Sequence, residues 1–73
     1  PTYSGLWRCE PMVFDYEFPG DEYIYALEGS LLVEVENEKY EINKGDIVLF
    51  KKGIKSVWTV KTSFKKFFVI DNC

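Results

Sequence analysis

The stretch Glu22-Tyr-Ile-Tyr-Ala-Leu-Glu-Gly29, with its continuation Ser30-Leu-Leu-Val-Glu-Val-Glu-Asn-Glu-Lys-Tyr-Glu-Ile-Asn-Lys-Gly45 and Asp46-Ile-Val-Leu-Phe-Lys-Lys-Gly53, decides the fold. Leu31, Val33 and Val35 alternate with Leu32, Glu34 and Glu36. A period of two marks a strand buried on one face only. Tyr40 and Ile42 resume the alternation beyond a tight turn expected at Asn37-Glu38, because Asn tolerates the positive φ that short hairpins need. On either side of this hairpin, an apolar run of strand length ends in a glycine, at Gly29 and at Gly53.

Working outward, Gly and Pro punctuate short runs rich in Val, Ile, Phe, Tyr and Trp. Strands are expected near residues 5–9, 12–18, 22–28, 31–36, 39–43, 47–51, 55–60 and 64–70. Their regular spacing, with turn signals between and no helical stripe, indicates an all-β sandwich or barrel. Residues 22–28 and 64–70 are apolar on both faces and should be central in their sheets. Lys39, Lys51 and Lys61 suit exposed edges. Pro19-Gly20-Asp21 is a turn by chemistry, and Asp46 can hold the Gly45-Asp46 turn by accepting a backbone N–H.

The spacing carries a resemblance. Glu22, six residues and Gly29 resemble the end of the first cupin motif, and Gly45, seven residues and Gly53 resemble the frame of the second. Gly5-Leu6-Trp7, the run Asp15-Tyr-Glu-Phe18, Trp58 and Lys66 narrow the likeness to small single-domain cupins similar to ureidoglycine aminohydrolase and the ethanolamine-utilisation cupins. The resemblance implies an all-β, cupin-type jelly-roll β-barrel formed by residues 1–73 as one domain. The chain begins with Pro rather than Met, as expected of a piece of a longer protein.

Seventy-three residues make one small domain, of a size that buries only about 60% of its unfolded surface. Thirteen aromatic residues compensate, since each can bury ~150–250 Å². Homodimerisation would supply further burial. The net charge of −3 is unevenly spread: residues 1–46 hold 11 acids and 3 bases, and residues 47–73 hold 1 acid and 6 bases. Neighbouring strands from the two halves can pair these charges. An acidic domain whose lysines alternate with core positions is not a nucleic-acid surface. No apolar run is long enough to span a membrane. Cys9 and Cys73 form no framework spacing, so reduced thiols and a cytoplasmic location are expected.

The chain contains no histidine. The cupin metal site that the resemblance implies uses three His and one Glu, and only Glu22 of that set is present. The first two positions fall on Asp15 and Glu17, or on Tyr16 and Phe18, depending on the spacer; the third falls on Ser56. No cofactor is therefore expected, because Zn, Cu and Fe prefer imidazole or thiolate. An oxygen-only set of Asp15, Glu17 and Glu22 would suit Mg²⁺, Ca²⁺ or Mn²⁺ alone.

An inward Glu22 needs a partner. Alternation puts either Lys66, with Phe68 and Ile70, or Lys65, with Phe67 and Val69, on the inner face; the offset from Trp58, which matches that of a lysine in the family the chain resembles, selects Lys66. The pair is either a structural ion pair or a catalytic acid–base pair and ligand anchor. Trp58, Trp7, Tyr16, Tyr25 and Glu17 are the expected ligand contacts. Function is read as the binding of a small polar molecule in the barrel. The alternatives are a non-catalytic dimerisation module and a metal-dependent hydrolase similar to ureidoglycine aminohydrolase.

Overall fold

The computed structural model describes residues 1–73 and contains eight strands and no helix. They are β1 (Tyr3–Cys9), β2 (Met12–Glu17), β3 (Asp21–Glu28), β4 (Ser30–Val35), β5 (Glu38–Asn43), β6 (Ile47–Phe50), β7 (Lys55–Val60) and β8 (Phe64–Asp71). Each expected strand is present, with ends that differ by at most two residues. No helix is long and apolar enough to cross a membrane.

The strands form two four-stranded sheets, β1-β8-β3-β6 and β2-β7-β4-β5, antiparallel throughout. This is the jelly-roll arrangement. β3 and β8, apolar on both faces, occupy the two central places of the first sheet. Between the sheets lie Phe18, Ile24, Ala26, Leu31, Val33, Ile42, Phe50, Trp58, Val60 and Phe64, all buried. Leu31 and Val33 point into this core as their alternation requires, and Ile42 joins them from β5.

The hairpin departs from expectation by one residue. Val35 pairs with Glu38, so the turn is Glu36-Asn37, and the positive φ of 53° falls on Glu36 rather than on Asn37. Lys61 also differs: it follows β7, an interior strand, and its ammonium lies 3.1 Å from Glu41. Lys39 and Lys51 lie in or beside the edge strands β5 and β6. Lys51–Asp21, Lys61–Glu41 and Lys66–Glu22 each join the basic C-terminal part to the acidic N-terminal part. Three of the six bases of residues 47–73 are thus paired within the fold.

Gly29 fixes the approach of β3 to the loop before β8. Its φ is +81°, and a Cβ there would lie 2.1 Å from the Ser63 carbonyl oxygen. Only glycine satisfies both demands. Asp46 braces the other turn by accepting the Asn43 N–H at 2.8 Å.

Candidate functional site

The inner faces of β1, β2, β3, β7 and β8 form a half-open cavity of about 240 Å³ lined by Trp7, Phe14, Tyr16, Glu22, Trp58, Lys66, Phe68 and Ile70. Strand parity places these groups. On β8, Phe64, Lys66, Phe68 and Ile70 share the inner face, which leaves Lys65 outside. On β3, Glu22, Ile24 and Ala26 point inward and are buried.

Glu22 and Lys66 meet on the cavity wall. Lys66 Nζ donates to Glu22 Oε2 at 2.5 Å, and Tyr16 Oη donates to Glu22 Oε1 at 2.7 Å. Glu22 is fully buried and Lys66 only 5% exposed, so both charges have left water. The backbone register sets Lys66 opposite Trp7 and Ala26, not opposite Glu22. The small Ala26 lets the lysine stem run along the inner face to reach the carboxylate. On the way its ammonium passes over aromatic rings: 4.5 Å from Trp58, 4.9 Å from Trp7, 5.2 Å from Phe68 and 6.0 Å from Tyr16. A ring face attracts a cation at these distances.

These surroundings shift two ionisations. Burial pulls the Lys66 ammonium below the ordinary lysine range, while the charge of Glu22 and its hydrogen bond act the other way. Burial, then the Glu22 hydrogen bond and charge, hold the Tyr16 hydroxyl far above the ordinary tyrosine range. Tyr16 therefore serves as a donor to Glu22.

The aromatic wall is itself braced. Trp7 meets Trp58 edge to face at 5.8 Å, and Tyr16 meets Trp58 at 5.0 Å. Trp58 Nε1 donates to Ser56 Oγ at 3.0 Å, and that hydroxyl donates to the Tyr16 carbonyl at 2.7 Å. Every buried side-chain polar atom has a partner.

Five of the seven expected site residues, Glu22, Lys66, Tyr16, Trp7 and Trp58, are brought together here. Two are not. Glu17 is exposed on the outer face of β2, opposite Lys55, because Phe14, Tyr16 and Phe18 take the inner face and alternation sends Asp15 and Glu17 outward. Tyr25 is 41% exposed on the outer face of β3, on the parity opposite to Glu22. The inward pair at the first motif is thus Tyr16 and Phe18. The oxygen-only set of Asp15, Glu17 and Glu22 is split between the outer face of β2 and the inner face of β3 and does not converge. Phe14, Phe68 and Ile70 complete the wall; Phe14 was legible from the apolar–acid alternation of residues 14–18.

The four positions that correspond to a cupin metal site do not fit a metal. Tyr16 and Phe18 replace two imidazoles, Ser56 is tied to Trp58 and to the Tyr16 carbonyl, and Glu22 is taken by Lys66 and Tyr16. A lysine ammonium occupies the side of the carboxylate where a cation would bind.

The sequence profile of the EutQ-like cupin domain matches residues 1–68. The chain belongs to the EutQ-like cupin family. Among solved structures, a DUF861 family protein from Thermotoga maritima is 37% identical, over 88% of this chain and 74% of its own, with a TM-score of 0.84. A putative ethanolamine utilization protein Q from Salmonella typhimurium is 26% identical, over 94% of this chain and 56% of its own, with a TM-score of 0.87. The EutQ protein of Clostridium difficile, 22% identical over 94% of this chain and 55% of its own, has the same fold, with a TM-score of 0.88. The present cupin domain spans little more than half the length of these two EutQ proteins. No curated protein matches the chain.

Proposed function

We propose that this cupin domain binds a small polar molecule in the cavity. The carrying observation is the union of one buried charge pair with an aromatic wall in a space of about 240 Å³. That volume lies just below the usual range for ligand sites, ~300–1,000 Å³, and equals roughly eight waters. The ligand is therefore of metabolite size. One end meets Glu22 and Lys66, and its body lies against Trp7 and Trp58. The hydrolase reading finds no support in the inward donors, which offer one carboxylate and no imidazole.

A panel of small carboxylates, amides, amines and carbonyl compounds, read by thermal shift, tests this reading. A ligand at 100 times its Kd stabilises by about 2.7 kcal/mol, or roughly 10 °C or more for a domain of this size. A panel without a shift contradicts the reading.

A second reading, a homodimer, is favoured by the outer face of the β1-β8-β3-β6 sheet. The register aligns Leu6, Phe67, Tyr25 and Ile47 in one row, and Ser4, Val69, Tyr23 and Leu49 in the next. Leu6, Tyr23, Tyr25, Ile47, Leu49 and Phe67 are 41–71% exposed. Counting ~150–250 Å² for a full side chain of this size, the six offer roughly 450–750 Å². That exceeds or matches the largest apolar patch of an ordinary monomer, ~300–600 Å². It also approaches the ~800 Å² each partner contributes to a standard interface. Arg8, Lys65 and Glu28 border the rows at one end, Asp21, Asp71 and Lys51 at the other, as a charged rim. A second copy of this sheet is the occupant that fits. Light scattering should return twice the 8.6 kDa chain mass, and Phe67→Glu should shift it to one. A wild-type monomer over a wide concentration range contradicts this.

A further inference from the structure

The geometry points to Lys66 as a nucleophile that captures a small aldehyde in the cavity as a protonated imine, with Glu22 as its proton carrier. This inference rests on the cavity being a ligand site and adds the chemical class that the site holds.

Four observations support it. Of the eight lysines, Lys66 alone is buried, and it lines the cavity, its Nζ set among the lining residues Trp7, Trp58, Phe68 and Glu22. Its proton has a place to go, because Glu22 Oε2 lies 2.5 Å away. The far oxygen of that carboxylate is held by Tyr16 at 2.7 Å, which fixes the oxygen that faces the lysine. Finally, the rings of Trp7, Trp58 and Phe68 around Nζ stabilise a cation at that point. A protonated imine places its positive charge on the same nitrogen. The cage that holds the resting ammonium therefore also holds the product. Desolvation, the leading cause of the amine's lowered basicity, favours the free lone pair that attacks, whereas Glu22 and the rings favour the charged nitrogen before and after.

The step balances. The ammonium passes a proton to Glu22, and the freed lone pair forms a C–N bond to the carbonyl carbon. The carbonyl π electrons move to oxygen, which takes the proton back from Glu22. Glu22 then accepts the second ammonium-type proton from nitrogen and returns it to the hydroxyl. The C–O bond breaks, water leaves, and the nitrogen lone pair closes the C=N bond. The sum is ammonium plus aldehyde giving protonated imine plus water, with Glu22 a carboxylate before and after. No oxidant, reductant or metal enters.

The experiment is reductive trapping of the wild-type protein with acetaldehyde or glyoxylate and cyanoborohydride at neutral pH. Peptide mass mapping then reads each of the eight lysines, once in the folded protein and once in urea. In the folded protein Lys66 should react at least roughly tenfold faster than the mean of the other seven, the factor given by about 1.4 kcal/mol of barrier. In urea all eight should react alike. Lys66 reacting no faster than the others in the folded protein, or equal selectivity with and without urea, overturns the inference. If a carboxylate or amide stabilises the protein while trapping at Lys66 is absent, the imine fails and the binding reading stands. If neither occurs, both fail.

Discussion

Lys66→Met should be strongly destabilising, and the reason lies in what it leaves behind. Glu22 is fully buried and has two partners, Lys66 on one oxygen and Tyr16 on the other. Breaking a buried pair by removing one partner costs ~3–5 kcal/mol, because an uncompensated charge remains. Tyr16 keeps one hydrogen bond to the carboxylate, which places the expected loss towards the lower figure. Three close ring contacts to the ammonium disappear as well, each worth roughly 0.5–2 kcal/mol. Met, however, fills part of the same aromatic space, so the packing loss is small. Glu22→Gln strands the ammonium instead and should cost a similar ~3–5 kcal/mol. The double variant removes both charges, and the amide oxygen that replaces the carboxylate can still accept from Tyr16. It should lie within about 1–2 kcal/mol of wild type, which makes the coupling energy roughly 3 kcal/mol or more. A domain of 73 residues holds only ~4–11 kcal/mol in total. The single variants therefore belong in urea titrations with a constant background of a stabilising osmolyte. Near-additive single effects, with a coupling energy close to zero, refute the idea that the two groups act as one buried unit.

Three further outcomes follow from other parts of the structure. Gly29→Ala, which sets a Cβ 2.1 Å from the Ser63 carbonyl oxygen at a φ of +81°, should cost about 3 kcal/mol or more, seen as a Tm fall of roughly 10–20 °C; an unchanged Tm contradicts the close approach. Tyr16→Phe tests the raised ionisation of the hydroxyl. A group whose pKa is higher folded than unfolded gives stability that is complete below the unfolded value, about 10, and is lost as pH rises towards the folded one. The wild-type advantage over Tyr16→Phe in urea unfolding should thus shrink as pH rises above about 10, whereas a constant advantage contradicts the raised ionisation. Dialysis against Zn²⁺, Ni²⁺ or Mn²⁺ and then buffer should leave no stoichiometric metal by elemental analysis; one metal per chain would show that Glu22 releases Lys66.

The fold was legible because its signals are local and repeated. The period of two in residues 31–36, the two-sided apolar character of residues 22–28 and 64–70, and the glycines that end the runs each demand the sheet that forms. The site was legible in part, and both misplacements have one origin. Glu17 and Tyr25 carry plausible chemistry, yet each is one residue out of phase with the inner face. Once Glu22 is inward, alternation sends Tyr25 outward; once Phe14 and Phe18 are inward, it sends Glu17 outward. The misplaced hairpin turn reflects weak local preference, since Glu36 takes the positive φ that its neighbour Asn37 would tolerate better. The meeting of Lys66 with Glu22 could not be read from pairing alone. Their strands are neighbours, but their register partners are Ala26 and Ile70, and contact depends on the length and direction of the lysine side chain.

The cavity contains its own reporter. Trp7 and Trp58 are the only tryptophans in the chain, and both line it. Intrinsic tryptophan fluorescence, titrated with the compounds that raise Tm, therefore reads occupancy of this space. Those compounds should change the emission in a saturable way, and Lys66→Met, studied under conditions where it is folded, should weaken the response at least roughly tenfold, the equivalent of about 1.4 kcal/mol. Stabilising compounds that leave the emission unchanged, or that bind Lys66→Met as tightly as wild type, would contradict the assignment of the site.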